Sequence, residues 1–454
     1  MSATPVPQPD KSNIQGMIMR GFTHPYSCHM VFKFGDKPGA KSFIKAIFPY
    51  VQPATDWGDA KPQMMLNIGL TFNGIKVACD FSANDLVIFP PTFKAGPASG
   101  GSQQSLNDLG TSAPKLWAFG NAAKPVDCVV HIYALSASAL AKLVTIVSEA
   151  ATAGGLTEYL PVENGTKRLE EYATIPRNSI HFGYQDGIDQ PALGWDDPND
   201  PADLRNFLIG YAGASSDPGP AQPPGKVVDF AKNGCYNAFR ILYQDEEVFD
   251  NFLEANANTI ATKLGKTTGA AKEWLAAKLN GRWRNGSPLE LSPNEPEEKT
   301  WDATDFGYDK DTDGMRCPFA SHTRVANPRN EELSDPGAPP RLIRRGMAYG
   351  TPPLLNNYKG DRGLIGLFLC GSLANQFELL YSWINTTNFS DLFPSQQGQD
   401  ALLANRLTQG ADTSYTIPTD KGPVEIAQLP QFVVARGTAY CLLPSLSALK
   451  SIFE

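Results

Sequence analysis

The feature that most narrows the fold is an alternation, met twice along the chain, of short apolar runs with helical stretches. Ser27–Phe34 has period-two character, and Met65–Phe72 repeats it, closed by the turn pair Asn73-Gly74. Cys128–Ala134 is a third run. Ser136 then stands as the N-cap of a helix whose Ala139, Leu140, Leu143, Val144 and Val147 recur at helical spacing, up to Gly154-Gly155. The theme returns with longer interruptions. Tyr236–Tyr243 reads as a strand, and Glu246–Leu264 as a helix with Val248, Phe249, Phe252 and Leu253 on one face. Leu364–Cys370 is an apolar strand followed by a helix from about Ala374 to Trp383. Phe432–Leu443 is strand-like, and Ser445–Phe453 is a terminal helix. Two sets of β-α-β units with antiparallel options predict an α+β fold. Two ferredoxin-like domains with antiparallel sheets and peripheral helices fit it, without a visible sequence repeat between them. A length of 454 residues suits two domains, expected at 1–180 and 181–454.

Composition removes several function classes. No window of some 18 apolar residues exists, which excludes a membrane span of that kind. A net charge of -8 lacks the basic footprint of a general nucleic-acid binder. The seven cysteines are scattered singly with no CxxC or Cys/His spacing, so neither a structural zinc site nor an Fe–S cluster is expected. Buried thiols in a reducing compartment are expected instead. Met1 to Lys11 is polar and Pro-rich rather than a basic stretch before an apolar core, and the expected location is cytoplasmic. With five histidines (His24, His29, His131, His181 and His322), any imidazole chemistry comes from a short list.

Two long irregular stretches, Asp186–Val228 and Gly286–Arg341, are crowded with Asp, Pro and Gly. Loops of this length in a compact protein are disordered or functional, and these hold the densest chemistry in the chain. The first carries Gly183-Tyr-Gln-Asp186-Gly187-Ile-Asp189-Gln190. A carboxylate between glycines can sit beside a ligand with the backbone close by, although Asp-Gly also makes ordinary turns. The second carries Arg316-Cys-Pro-Phe-Ala-Ser-His322-Thr-Arg324-Val-Ala-Asn327-Pro-Arg329. One imidazole among cationic side chains suits a ligand with one metal and carboxylates, as in haem with its propionates. A structural histidine is the bland alternative. Third comes Arg341-Leu-Ile-Arg344-Arg345-Gly346-Met-Ala-Tyr349-Gly350, either a solvated face or a strand entering a site. No GxSxG, HExxH or P-loop occurs, and Gly96–Gly101 lacks the Lys-Ser/Thr of a phosphate loop.

Together the three segments resemble the dye-decolorising peroxidase family. Its GxxDG motif is matched by Gly183–Gly187, its CPFxxHxRxxNPR segment by Cys317–Arg329, and its RxGxxYG-like segment by Arg344–Gly350. Weaker echoes are Asn13-Ile14-Gln15-Gly16 with Arg20-Gly21, and Arg362-Gly363-Leu364 with Asn375-Gln376-Phe377-Glu378. The similarity spans roughly residues 13 to 450. It implies a peroxidase that reduces hydrogen peroxide and oxidises aromatic donors such as dyes and phenolics, with one haem b per chain held in the second domain. His322 would be the proximal iron ligand, Asp186 the distal acid–base residue, and Arg344, not Arg345, the distal arginine. Arg324 and Arg329, with Gln190 behind them, are the expected propionate contacts. Leu367, Phe368 and Leu369 would form an apolar wall. Tyr349 and, as a surface relay, Trp383 are the candidates for electron transfer. His181 lies near Asp186, but the motif does not assign it the base.

Physical chemistry is consistent with these roles. A carboxylate has a lower reference pKa than an imidazole, ~3.9 against ~6.5, so activity is expected to persist in more acid solution than a histidine base allows. A guanidinium stays charged and can stabilise the leaving oxygen of peroxide. Other readings remain at this point: porphyrin handling with iron release, or a haem carrier or sensor without turnover. Self-association is open.

Overall fold

A computed structural model describes residues 7–58, 60–172, 179–213, 225–333, 338–351, 357–386, 399–408 and 413–454. The main sheet contains β1 (Tyr26–Lys33), β2 (Met64–Thr71), β3 (Cys128–Ala134), β4 (Thr157–Tyr159), β5 (Leu169–Tyr172), β6 (Cys235–Gln244), β7 (Ile343–Arg344), β8 (Met347–Tyr349), β9 (Gly363–Cys370) and β12 (Val433–Leu443). A separate ribbon pairs β10 (Tyr415–Ile417) with β11 (Val424–Ile426). The strand order is β4-β1-β3-β2-β12-β6-β9-β7, with β5 also on β1 and β8 on β9. Every pairing of named strands is antiparallel.

That order contains one pattern twice. In each half the chain runs strand, helix, two strands, helix, strand, and the strands lie fourth-first-third-second: β4-β1-β3-β2, then β12-β6-β9-β7. This is the ferredoxin-like arrangement. The crossover helices are Lys37–Ile47 and Ala137–Ala153 in the first half. In the second they are Glu246–Leu264 and the stretch Leu373–Thr386, which opens with a π turn. The halves join where Thr71 and Leu70 of β2 pair with Cys441 and Leu442 of β12. Gln15 fastens the same seam. Its Nε2 donates to the carbonyls of Ile68 and Pro444, both at 2.9 Å, and its Oε1 accepts from the Ile68 amide at 2.8 Å.

Alternation sorts the side chains. From β1 and β3, Met30, Phe32, Val130 and Ile132 enter one core with the helices Lys37–Ile47 and Ala137–Ala153. Val31 and Val129 enter another, which also holds Phe239, Ile365 and Leu367 of the second half. Cys128–Ala134 and Glu246–Leu264 fold within the bounds read from sequence, and Ser136 caps its helix by accepting from the Ala139 amide at 3.2 Å. Asn73-Gly74 departs from expectation. It lies in a helix, Phe72–Ala78, that Thr71 caps through the Gly74 amide at 3.1 Å. Glycine is needed because a Cβ there would stand 1.9 Å from the Asp127 carbonyl oxygen. All seven cysteines are buried, free thiols. No helix among the described residues is long and apolar enough to cross a membrane.

Candidate active site

A cavity of about 280 Å³ opens in the second half, between the Asp186 loop, the His322 helix, β6, β9 and the helix Leu379–Thr386. Its size is close to the lower end of small-molecule sites, ~300 Å³. The walls are mostly apolar, from Phe182, Leu242, Leu364, Phe368, Phe377 and Leu380. Polar groups converge on it from the three sequence segments: Asp186 and Asp189, then His322, Asn327 and Arg329, then Arg341 and Arg344.

His322 is the first residue of the short helix His322–Ala326. Its Nδ1 lies 2.8 Å from Oδ2 of Asp400. A carboxylate accepts, so Nδ1 carries the hydrogen and Nε2 keeps its lone pair, the tautomer a metal-binding imidazole needs. Asp400 has no solvent exposure, and its Oδ1 accepts from the Leu402 and Leu403 amides, both at 2.8 Å. Backbone bonds from Asp400 to Ile384 and from Ala401 to Ala320 fix this segment against the one that precedes His322. Of the five histidines, His322 alone lines the cavity. His29 and His131 are a buried pair elsewhere, Nδ1 to Nδ1 at 2.9 Å, and His24 bonds the Pro62 carbonyl.

Asp186 and Arg344 also line the cavity. Arg344 is anchored beside the Asp186 loop. Its guanidinium donates to the Ile188 carbonyl, and its amide donates to Gln190 Oε1 at 3.0 Å. Arg345 points the other way, its Nε bonding the Met17 carbonyl at 2.9 Å, and burial presses its guanidinium down to about 10. The order Arg-Arg-Gly is dictated by the sheet. At Gly346 a Cβ would fall 1.8 Å from the Ile365 carbonyl oxygen, so only glycine lets this strand lie against β9.

A cationic group occupies one side of the cavity. Asp189 accepts from Asn327 Nδ2 at 3.0 Å, Arg329 Nη2 at 2.8 Å and Arg341 Nη2 at 2.9 Å. Burial works to raise its pKa, but Arg341, Arg329 and Asn327 together outweigh burial and hold it below the ordinary value. Arg282 lines the same region, while its guanidinium bonds the Gly286 and Ala303 carbonyls at 2.9 Å. Arg329 keeps a buried Nε without a hydrogen-bond partner. With more cations than carboxylates and an orphaned donor, this side fits the propionates of a haem, and His322 fits its iron.

Several expected contacts fall elsewhere. Arg324 does not reach the cavity: it is fully buried and bonds Asp311, Glu331 and the Cys317 carbonyl, between the rings of Tyr308 and Phe319. It braces the His322 segment and is no propionate contact. Gln190 uses its Oε1 on the Arg344 amide and does not line the cavity. Along β9, Phe368 and Leu367 line the wall, whereas Leu369 does not reach it and packs wholly into the core that Leu367 also enters. Gly366 clears the Phe368 ring, which a Cβ would meet at 2.2 Å. Trp383, expected as a surface relay, is 7% exposed and belongs to the core. Tyr349 is also buried, at 3% exposure. Sequence reading missed Asp400, Arg282 and the role of Asp189. Asp189 had a signal in its place beside Asp186, and the other two had none.

No protein-family model matches the chain. Among curated proteins it is 27% identical over 431 residues to a dye-decolorizing peroxidase of Mycetinis scorodonius, covering 87% of this chain and 77% of that one. It is 32% identical over 305 residues to a multifunctional dye peroxidase of an Amycolatopsis strain, covering 60% of each. Similar solved structures include an ancestral D-type dye decolorizing peroxidase, with TM-score 0.77, 26% identity, and coverage of 99% of this chain and 100% of that one. Another is a dye-decolorizing peroxidase in complex with 2,6-dimethoxyphenol, with TM-score 0.77, 23% identity, and coverage of 98% and 99%, a likeness of fold alone.

Proposed function

Because the chain belongs to the dye-decolorising peroxidase family, we propose that it is a haem peroxidase that reduces hydrogen peroxide and oxidises aromatic donors, dyes and phenolics among them. The observation that carries the residue assignment is the His322–Asp400 hydrogen bond. It leaves one imidazole in the cavity with the nitrogen a metal needs free of hydrogen. One haem b, bound there, supplies the iron and the redox equivalents. His322 would hold the iron, and Arg329 with Arg341 would hold propionates.

The rest of the chemistry belongs to the chain. Heterolysis of peroxide needs a proton taken from the inner oxygen and delivered to the outer one. Asp186 lines the cavity, and a carboxylate there can make that transfer. Negative charge gathers on the departing oxygen, and Arg344, fixed by Ile188 and Gln190, stabilises it. The wall of Phe368, Leu364 and Phe377 gives the site one apolar side. A carrier or sensor has no need of a carboxylate and guanidinium facing one cavity.

The test begins with an absorption spectrum of the purified protein. A Soret band is expected, and His322→Ala should lose it or bind haem far more weakly. Asp186→Asn should slow the reaction with peroxide by ~10²–10⁴-fold, the span of general acid–base catalysis. Arg344→Leu should be comparably damaging and Arg345→Leu much less so. Unchanged haem binding in His322→Ala, or a wild-type rate in Asp186→Asn, would overturn the assignment.

A further inference from the structure

Asp186 and Arg344 arrive in the cavity on different segments, and one buried histidine ties those segments together. His181, five residues before Asp186, does not line the cavity. Its Nε2 lies 2.6 Å from the carbonyl oxygen of Tyr349, five residues after Arg344. A carbonyl can only accept, so Nε2 carries the hydrogen. In the neutral ring Nδ1 is then a bare lone pair. That nitrogen is buried, has no hydrogen-bond partner, and lies 4.0 Å from Oε2 of Glu246. The two side chains are 0% and 3% exposed, so water does not screen them from each other.

A lone pair facing a carboxylate in a dry site is repulsive; one proton on the carboxyl removes that repulsion and supplies a donor that Nδ1 can accept once the 4.0 Å gap closes to hydrogen-bond length. Glu246 is fixed as the first residue of the helix Glu246–Leu264, and Arg362 Nη1 donates to its Oε2 at 3.0 Å. The charged groups around the pair are Arg362, at the approach to β9, and Asp245 and Asp250, at the start of the helix. Tyr358 donates its hydroxyl to Asp250 at 2.7 Å.

We propose that His181 and Glu246 form a one-proton clamp that holds the loop bearing Asp186 against the strand bearing Arg344. The clamp is closed while Glu246 is protonated and loosened when it ionises. Both are positioning residues, and the proposal rests on the reading of Asp186 and Arg344 given above. The proton's address follows from the surroundings. Burial raises the Glu246 carboxyl to about 7, against the opposing pull of Arg362, with Asp250 and Asp245 adding to the rise. Burial lowers His181 to about 4, and Arg362 adds to the fall, although the bond to Tyr349 opposes it. A carboxyl raised in the folded protein contributes in its protonated form. That contribution is complete below the ordinary carboxyl value and is lost as pH rises through about 7. Between about 4 and about 7 the pair therefore shares one proton, with a neutral imidazole.

The test uses ¹⁵N-histidine NMR of the holoenzyme in its diamagnetic ferrous carbonyl form, from pH 5 to 8. His181 should show the neutral tautomer with hydrogen on Nε2, and its Nδ1 resonance should move as Glu246 titrates. In Glu246→Gln, a neutral isostere that still accepts from Arg362, that movement should vanish. Stopped-flow reaction with peroxide should slow in the wild type by up to about tenfold from pH 7 to 8, the limit for one proton, and Glu246→Gln should flatten this slope. An imidazolium at pH 6, hydrogen on Nδ1, or a Glu246→Gln profile that follows the wild type would each overturn the clamp. The tautomer is read without reference to catalysis. A failure of Asp186→Asn to slow the peroxide reaction would therefore strike the proposed function while leaving the clamp to its own spectrum.

Discussion

Asp400 shows how a site residue can be decisive and yet silent in the sequence. Its carboxylate is 78 positions from the imidazole it orients, in a stretch with no motif, and tertiary packing alone brings the two to 2.8 Å. His322 was legible because Pro, Phe, Asn and Arg surround it in a recognisable spacing. Arg324 and Arg329 looked alike in that spacing, five residues apart. Arg324 lies on the short helix His322–Ala326 and Arg329 in the turn after it, and that decides their fates, one bonded to Asp311 and Glu331, the other to Asp189 at the cavity. Removing the negative charge at position 400 should weaken the donor strength of His322 without changing side-chain volume. For Asp400→Asn the expected outcome is a loss of haem affinity of about 10–100-fold, typical of outer partners of metal-bound histidines, with a more positive reduction potential. Haem-transfer competition and a redox titration check both. Wild-type values in each would show that Asp400 is only a packing residue.

At the scale of elements, apolar patterning was a faithful guide for a strand buried on both faces and for a helix that buries one. β3 and the helix Glu246–Leu264 have the bounds that their apolar spacing predicts. It failed where a tertiary constraint chose between local options. Asn73-Gly74 has turn chemistry, but the approach of the Asp127 carbonyl and the cap from Thr71 make it part of a helix. Trp383, expected at the end of a helix, lies inside the helix Leu379–Thr386 and packs into the core, and no local pattern reveals that cover. The joining of the loop segments is likewise non-local, and Asp189 is the joint, since it bonds Asn327 and Arg329 from one segment and Arg341 from another. Its folded pKa is lowered, so its stabilisation is present above the ordinary carboxylate value and is lost as pH falls through the folded one. Asp189→Asn should therefore cost about 1.5–3 kcal/mol near neutrality, the range for hydrogen bonds to charged groups. The gap to wild type should close in strong acid. Denaturant melts at pH 7 and pH 3 measure this, and a constant gap would contradict the assignment.

At the scale of the molecule, the two ferredoxin-like halves share a sheet but divide the labour. Every residue that lines the cavity except Ile180 lies within 181–454, so we propose residues 181–454 as the half that carries the site. The first half still reaches it through one buried ion pair. Asp108 extends a carboxylate to Arg240 of β6, the two side chains 1% and 2% exposed. Arg240 in turn bonds Thr438 of β12 at 2.7 Å and the Tyr381 hydroxyl at 3.2 Å, and Tyr381 lines the cavity. A chain of charge and hydrogen bonds thus runs from the first half, through β6 and the seam strand β12 of the second, to the site wall. Removing one partner of such a pair leaves the other charged and dry, which costs about 3–5 kcal/mol in comparable buried pairs. Asp108→Ala should lose stability on that order and should also disturb the wall at Tyr381, seen as a shifted Soret band in the folded variant. A surface pair of similar length, Lys167 with Glu163 at 2.8 Å, is the control. Glu163→Ala should change stability by under about 1 kcal/mol and leave the spectrum as it is. Equal costs for the two variants would mean that burial of the Asp108–Arg240 pair does not couple the first half to the site.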